Sequence, residues 1–429
     1  MARTTSDTKP SPKHLTRRNL LRGAVAAAAA APYVITSFSL AARPADQGGG
    51  GPRPAPSNRL AMGFVGVGGQ GTGDMGGFLG FEEIQGVAVC DVDRSNCERA
   101  RNRVDEKYGS HDCAAVSDFR ELVTRPDIDI VFCATPDHWH ALVTIEAMRN
   151  GKDVYCEKPE SLTIREGRAM VETARRYSRV FSGGSQRVWG DYNWFHRMIR
   201  GGAIGEVKEA WVGCGGPSDE MIRSAEPVPE GMDWEMWLGP APWRPYNKNY
   251  HPFSWRGCRD FSGGGMTDWG AHNFGGATFA MNLHETGPVE VRPPDGGDNP
   301  LLTYIYANGV IMHHGGGWGG NLSFRGTKAE IPARGAGKAD RNAPAPDINI
   351  PNYKGRGGIF GDFVHCVKTR ERPFRDIEIA HRTLTVCHLG NIAYWLKRPI
   401  KWDPAKEEII GDAEASRWLD RPKRAPWRI

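Results

Sequence analysis

The chain has 429 residues, of which 24% are charged and 39% hydrophobic. That length suits two domains with room for loops, and the composition is that of a globular protein able to bury its own core. The net charge of +5 resides in the leader: beyond residue 42 the chain holds 49 basic and 49 acidic residues, so the body carries no electrostatic footprint for nucleic acid.

Nine cysteines without a CxxC pair, and without histidines at zinc-ligand spacing, exclude a fully paired disulfide framework and give no expectation of a metal. Cys133 and Cys156 sit in apolar runs and read as small buried hydrophobes.

In chain order, the first element is an address. Thr16-Arg17-Arg18-Asn19-Leu20-Leu21-Arg22 precedes an Ala-rich run, Ala24 to Ala31, and Ser39-Leu40-Ala41 offers a small-residue cleavage site. This is the pattern of a twin-arginine signal over residues 1–42, with the twin-arginine translocase as partner and a periplasmic or secreted destination. The run is weakly hydrophobic and broken by Pro32, so no stable membrane span is expected. Residues 43–57 read as a disordered Gly/Pro/Ala linker.

Residues 58–183 read as a nucleotide-binding domain. Leu60 to Val67 is a buried strand running into Gly66-Val67-Gly68-Gly69-Gln70-Gly71, and a helix over 70–81 follows. A second apolar strand, Val87 to Cys90, ends at Asp91, 20 residues after Gly71. A lone G-x-G-x-x-G is weak, but strand, glycines, helix, strand and acid in this order form a dinucleotide fingerprint. Gly66 permits the turn, Gly68 the approach of a pyrophosphate, and Gly71 close helix–strand packing. Gly69 and Gln70 open the helix whose N-terminus faces the phosphates. Asp91 would accept from the ribose hydroxyls and repel a 2′-phosphate, which favours NAD over NADP. Arg94 nearby blurs that preference.

The alternation continues. Arg94 to Tyr108 and Phe119 to Thr124 are expected helices. Ile128 to Ala134 is a strand ending in Thr135-Pro136-Asp137-His138-Trp139-His140, and His140 to Asn150 is helical. Asp153 to Cys156 is a strand ending in Glu157-Lys158-Pro159; Thr163 to Tyr177 is a helix and Val180 to Ser182 a strand. Strands alternating with helices predict a doubly wound parallel sheet, with ligands beyond the carboxyl ends of its strands.

Residues 184–429 read as a second domain. Tyr192 to Arg200 is an expected helix, Glu206 to Gly213 a strand, and Cys214 to Ser262 a Pro/Trp-rich insertion whose aromatics either stack on sugar rings or pack the loop. Thr267 to Asn282 is expected to be one helix. Thr303 to Tyr306 and Val310 to His313 form a hairpin, Gly335 to Pro351 a loop, and Ile359 to Thr369 and Ile377 to Leu396 helices. Adjacent His313 and His314 point to opposite faces of a strand and do not form a joint ligand pair. The basic run Arg421 to Arg428 reads as a solvated tail.

Four segments in order resemble the Gfo/Idh/MocA oxidoreductases: the fingerprint Gly66 to Gly71, Thr135-Pro136-x-His138-x-His140, Glu157-Lys158-Pro159, and Asp268-x-x-x-His272. The resemblance covers the chain from about Ser57 onward. It implies an α/β architecture: an N-terminal Rossmann domain, then an α/β domain with an open-faced, mostly antiparallel sheet. It also implies NAD(P)-dependent chemistry on sugars, polyols and related carbohydrates, and association into a homo-oligomer. Thr135, Pro136, His138, His140 and Glu157 fall at cofactor-binding positions. Lys158 would touch both the cofactor and the reacting oxygen, and Asp268 and His272 would lie in the substrate cleft. Many relatives carry a second acid three residues after the histidine; here Gly275 stands there.

The chemistry agrees with those roles. Oxidising an alcohol removes a hydride from carbon and a proton from oxygen. A histidine titrates near neutrality, so His272 suits the proton. Asp268, four residues earlier, shares its helix face and can orient it. Lys158 supplies positive charge where alkoxide character develops. Trp139 is expected along the cofactor cleft, and Arg256 and Arg259 as substrate contacts. Outside the cytoplasm free dinucleotide is scarce, so the cofactor should stay tightly bound and be regenerated in the site. A redox-neutral glycosidase or lyase, acting through transient oxidation, is the alternative, and a non-catalytic sugar-binding protein the second. The family's glycosidase branch presents its catalytic histidine in a different local motif than Asp268-Trp269-Gly270-Ala271-His272, which weakens that alternative.

Overall fold

The computed structural model describes residue 55 and residues 58–315, 322–332 and 344–429. The expected signal, the linker apart from residue 55, and residues 335–343 of the expected loop lie outside the described residues.

The first sheet is the doubly wound one. Strands β1 (Leu60–Val65), β2 (Ile84–Cys90), β3 (Ala114–Val116), β4 (Ile130–Cys133), β5 (Asp153–Cys156) and β6 (Phe181–Gly183) lie in the order β3-β2-β1-β4-β5-β6, and every pairing is parallel. The central strands are apolar on both faces because helices cover both; Met62, Phe64, Val131 and Phe132 are buried. Strand order reverses between β1 and β4, and a crevice opens there at the carboxyl ends.

Helix Arg94–Tyr108 starts where expected because Asp93 caps it, accepting from the Ser95 N–H. Helix Asp137–Arg149 starts three residues before the expected His140, so both histidines of the Thr-Pro motif lie in its first two turns.

The second sheet has eight strands. Beyond β7 (Val207–Val212) they are β8 (Glu290–Arg292), β9 (Leu302–Ile305), β10 (Ile311–His314), β11 (Leu322–Gly326), β12 (Glu330–Ile331), β13 (Ile400–Asp403) and β14 (Glu408–Ile409), in the order β12-β11-β7-β10-β9-β8-β13-β14. Only β10 and β7 pair in parallel. One face packs on helices Gly270–Ala280 and Ile377–Leu396 through Phe274, Tyr304, Met312 and Leu389. On β7, Val207, Ala210 and Val212 are buried, whereas Lys208, Glu209 and Trp211 are not. On the other face Trp211 stacks on His313, with Arg325 over its ring.

Two expectations are corrected here. The helix expected over Thr267–Asn282 is two: Gly265–Asp268 and Gly270–Ala280. Gly270 presses on helix Ile377–Leu396, where an added Cβ would lie 2.9 Å from Cys387 Sγ, and the ladder resumes with the His272 N–H donating to the Trp269 carbonyl. The basic tail is packed rather than free. Arg421 is half-buried and donates to the Arg259 carbonyl, Arg424 donates to the Gly239 carbonyl, and Trp427 packs edge-on against Trp139. Aromatic area and guanidinium donors thus tie the C-terminus across the nucleotide-binding half. The insertion is likewise anchored: the Asp233 N–H donates to the Val92 carbonyl, the Arg94 N–H to Gly231, and Trp139 Nε1 to Trp237.

An ion network joins helix Ile164–Arg176 to the C-terminal elements. Arg168 bonds Glu378 at 2.9 and 3.0 Å and Glu407 at 2.6 and 2.9 Å, and His381 Nε2 meets Glu407 at 2.8 Å. Burial pushes the Glu378 carboxyl up, but Arg168 and Arg382 outweigh it and hold it at about 2. Its stabilising contribution is therefore present above the ordinary carboxylate range and is lost as pH falls through about 2. Arg168→Ala should cost about 3 kcal/mol, because Glu378 and the buried Glu407 each lose one of their two arginine partners, the closer one for Glu407, and keep Arg382. Thermal melts across pH would show the deficit shrinking as the carboxylates protonate.

Candidate active site

A cavity of about 750 Å³ occupies the crevice between the carboxyl ends of β1, β4 and β5. At one end it is walled by the fingerprint. Gly66 has φ +79°, and a Cβ there would lie 2.6 Å from the Ala134 carbonyl carbon. A Cβ on Gly71 would come within 1.9 Å of the Gly66 carbonyl oxygen. Gly68 and Gly69 differ: Cβ atoms there would meet nothing closer than Asn96 at 3.7 Å, so their backbone lies open to the cavity. Helix Gly69–Phe78 carries no side-chain cap, which leaves its N–H groups to a ligand. Gln70 also lines the cavity, its side chain bonded to Asp74.

Asp91 ends β2 on the same wall. Its carboxylate accepts from the Val67 N–H at 2.9 Å and the Asp93 N–H at 2.9 Å, which fixes the turn and aims the group. Burial raises it to about 6 against those hydrogen bonds. An open glycine cradle, an uncapped helix N-terminus and an aimed acid fit a dinucleotide.

The other end gathers charge. Thr135 and Pro136 line the wall after β4, and Glu157 and Lys158 after β5. Lys158 Nζ donates to Asp268 Oδ1 at 2.5 Å, with both side chains more than four-fifths buried. Arg256 lies 3.9 Å from the same oxygen and packs over Phe253 and Trp255. Burial, reinforced by Asp74, pushes the Glu157 carboxyl well above the carboxylate range.

His138, His140 and His272 do not line the cavity. His272 is 3% exposed, and its Nδ1 has no hydrogen-bond partner among the described residues. Burial and then the Lys158 charge hold it well below its usual value, so it is neutral at pH 7. His138 Nε2 meets the Trp237 carbonyl, and His140 sits 2.7 Å from the carbonyls of both Pro159 and Thr135. These two fasten the Thr-Pro loop to the Lys158 loop and to the insertion. Cys133, His140 and Cys156 bring ligand-type atoms within 4.8 Å of one another, but each imidazole nitrogen already faces a carbonyl. All nine cysteines are unpaired and buried. His313 and His314 bond to Thr303 and Tyr394 respectively.

Of the aromatic insertion, Trp237 and Trp255 reach the cavity, while Trp234, Tyr246 and Tyr250 pack among themselves and Trp243 is exposed. Arg259 lies over Trp395 and Trp418 instead. Trp139 lines the cavity as expected. Sequence reasoning passed over Asp137, which is buried on the same wall. An acid in the first turn of a helix ordinarily complements the dipole, so its sequence position carried no separate signal.

Comparison with known proteins agrees with this geometry. Residues 60–185 match the oxidoreductase-family NAD-binding Rossmann fold, and residues 206–429 the oxidoreductase-family C-terminal alpha/beta domain. Among curated proteins, a glycosyl hydrolase family 109 protein of Shewanella baltica (strain OS185) is 32% identical over 173 residues, 37% of each chain. Another, from Shewanella sp. (strain ANA-3), is 35% identical over 130 residues, 28% of each chain. The match thus spans little more than a third of such relatives' length. Two solved structures share the fold. Aldose-aldose oxidoreductase from Caulobacter crescentus has a TM-score of 0.56 at 20% identity, covering 80% of this chain and 99% of that one. Scyllo-inositol dehydrogenase from Lactobacillus casei, with bound NAD(H) and scyllo-inositol, has a TM-score of 0.56 at 14% identity over the same shares. With the two family domains spanning nearly all of the body, the chain belongs to the Gfo/Idh/MocA oxidoreductases, and residues 60–185 are their NAD-binding domain.

Proposed function

We propose that the protein is an exported NAD-dependent oxidoreductase acting on a CH–OH group of a sugar, polyol or related carbohydrate. One observation carries the reading: a single cavity joins the glycine cradle and Asp91 to the Lys158–Asp268 pair. NAD, when bound, supplies the hydride acceptor or donor. Lys158 stabilises negative charge developing on the substrate oxygen, and Asp268 holds the ammonium in place. His272, neutral behind the pair, is the acceptor for the proton that Lys158 passes on. Asp91 selects NAD. Asp91→Ser should lower NAD preference over NADP by tenfold or more, by analogy with removing one repulsive charge worth about 1.4 kcal/mol, and calorimetric titration of both nucleotides checks it.

Export rests on the Arg17-Arg18 motif, and it favours a cofactor that stays bound. The open face of the second sheet, with Trp211, His313 and Arg325, is where copies of the chain would associate. Redox-neutral cleavage of a glycoside is the second reading, favoured by the relatives described as glycosyl hydrolase family 109 proteins. Incubating NAD-loaded protein with free sugars and with glycosides separates them. Nicotinamide absorbance that follows sugar oxidation supports the first; cleavage with no net absorbance change supports the second; silence with both sinks each.

A further inference from the structure

The insertion of the second half reaches back over the nucleotide-binding sheet, and its residues 231–240 are fastened there on two sides. On one side they bond the residues that follow β2. The Asp233 N–H donates to the Val92 carbonyl at 2.9 Å and the Arg94 N–H to the Gly231 carbonyl at 3.0 Å, and Asp93 pairs with Met232 in an antiparallel bridge. On the other side they bond the helix that follows β4. The Trp237 carbonyl meets Trp139 Nε1 at 3.0 Å and His138 Nε2 at 2.9 Å. Gly239 lies so close to the Trp139 indole that a Cβ there would come within 2.1 Å of the ring.

Strands β2 and β4 flank β1 in the sheet. A segment tied to both therefore crosses the carboxyl end of β1, where the fingerprint turn lies. The short helix Trp234–Leu238 makes the crossing, and Met236 and Trp237 line the cavity from it. Phe119 and Trp139 line it from the nucleotide-binding half. These side chains form an apolar slot on the Asp91 side of the cavity, which suits the flat face of an adenine next to its ribose.

The C-terminal tail holds this segment down. Arg424 donates through Nε to the Gly239 carbonyl at 3.0 Å and through its backbone N–H to the Pro240 carbonyl at 2.9 Å, and it pairs with the Glu235 carboxylate. Trp427 meets Trp139 edge-on at 4.7 Å, with the Arg120 guanidinium 5.2 Å from its ring centre. Neither Arg424 nor Trp427 lines the cavity, so their effect on a bound nucleotide runs through the segment that does. We propose that residues 231–240 are a strap across the adenosine half of bound NAD, and that Arg424 and Trp427 are positioning residues that buckle it and set how long the cofactor stays.

A nucleotide under the strap leaves only when the strap lifts, which breaks the bonds on both sides and the tail contacts together. Entry and exit share that barrier. Loosening the buckle therefore speeds both, and the rates move further than the affinity. The inference rests on the NAD-binding domain rather than on the hydride-transfer reading, and turnover does not enter its test.

The test follows NAD release. Protein loaded with radiolabelled NAD is chased with excess unlabelled NAD, and NAD added to stripped protein gives the entry rate. Trp427→Ala and Arg424→Ala should each raise the release rate by about tenfold or more, raise the entry rate as well, and change Kd less than either. Glu235→Gln, at an exposed carboxylate, should leave the melting temperature unchanged and give a smaller rise in both rates. Hydrogen exchange gives a second readout: NAD should slow exchange of the 231–240 amides in the wild type, and do so less in Trp427→Ala. If a tail variant loses its fold by melting temperature, Glu235→Gln and the wild-type exchange carry the test. Wild-type release from all three variants, faster release with unchanged entry, or 231–240 amides that NAD leaves unprotected would each overturn the proposal.

Discussion

Lys158→Met should lower turnover by about 10²- to 10³-fold while NAD affinity changes little. The reason is local. Lys158 is the cation that shares the cavity wall with Glu157 and meets Asp268 at 2.5 Å. Removing it takes away the stabilisation of the oxyanion and leaves Asp268 part-buried, with Arg256 at 3.9 Å as its nearest remaining cation. A misplaced or protonated Asp268 would add a second loss. Lys158→Met/Asp268→Asn therefore separates the two: if charge stabilisation dominates, the double variant is no worse than the single one. Single-turnover kinetics reads the chemical step, and melting temperature shows whether the fold has suffered. Full turnover in Lys158→Met would remove the site assignment.

The second large effect concerns the cradle. Gly71→Val should destabilise the protein by more than about 3 kcal/mol and abolish dinucleotide binding. A Cβ at Gly71 would stand 1.9 Å from the Gly66 carbonyl oxygen, a backbone atom that cannot swing aside. Gly73 lies one residue beyond Thr72 on the same helix, and a Cβ there would meet nothing within 4 Å. Gly73→Ala should therefore fold normally and gain up to about 1 kcal/mol from helix propensity. Gly69→Ala is the informative intermediate: it too meets nothing within 4 Å, so it should keep its melting temperature and weaken NAD alone. Equal behaviour of all three variants would contradict the account of the fingerprint.

Much of this was legible in the residues. Helices Arg94–Tyr108 and Ile377–Leu396 have their expected bounds, and in the fold a carboxylate, Asp93 and Asp376, caps the start of each. The parallel sheet followed from strands alternating with helices, and the glycine spacing with Asp91 announced the dinucleotide cleft. Strands β13 and β14 were not legible, since runs of four and two residues are too short to show alternation. The break after Asp268 was hidden because Trp269, between the two helices, keeps right-handed helical dihedrals.

Burial was the other missing quantity. Arg421 and Arg424 look like a solvated run until Trp427 is seen packed against Trp139. Asp137 looks like a helix-start acid until its burial beside the cavity, which raises its carboxyl to about 7, is seen. His272 has the right spacing for a base, and what the sequence did not show is its enclosure: at 3% exposed and near Lys158 it is held neutral, in the form that accepts a proton. In each case the residue type was visible and its surroundings, set by segments distant in sequence, were not.

The measurement that bears most directly on the central claim is the nucleotide content of protein purified after export from its native host. The protein is denatured, and any released nucleotide is identified by mass and absorbance. The account predicts about one NAD per chain, retained through purification because cofactor and site are held as a unit. Protein that emerges empty and then fails to bind added NAD would contradict it.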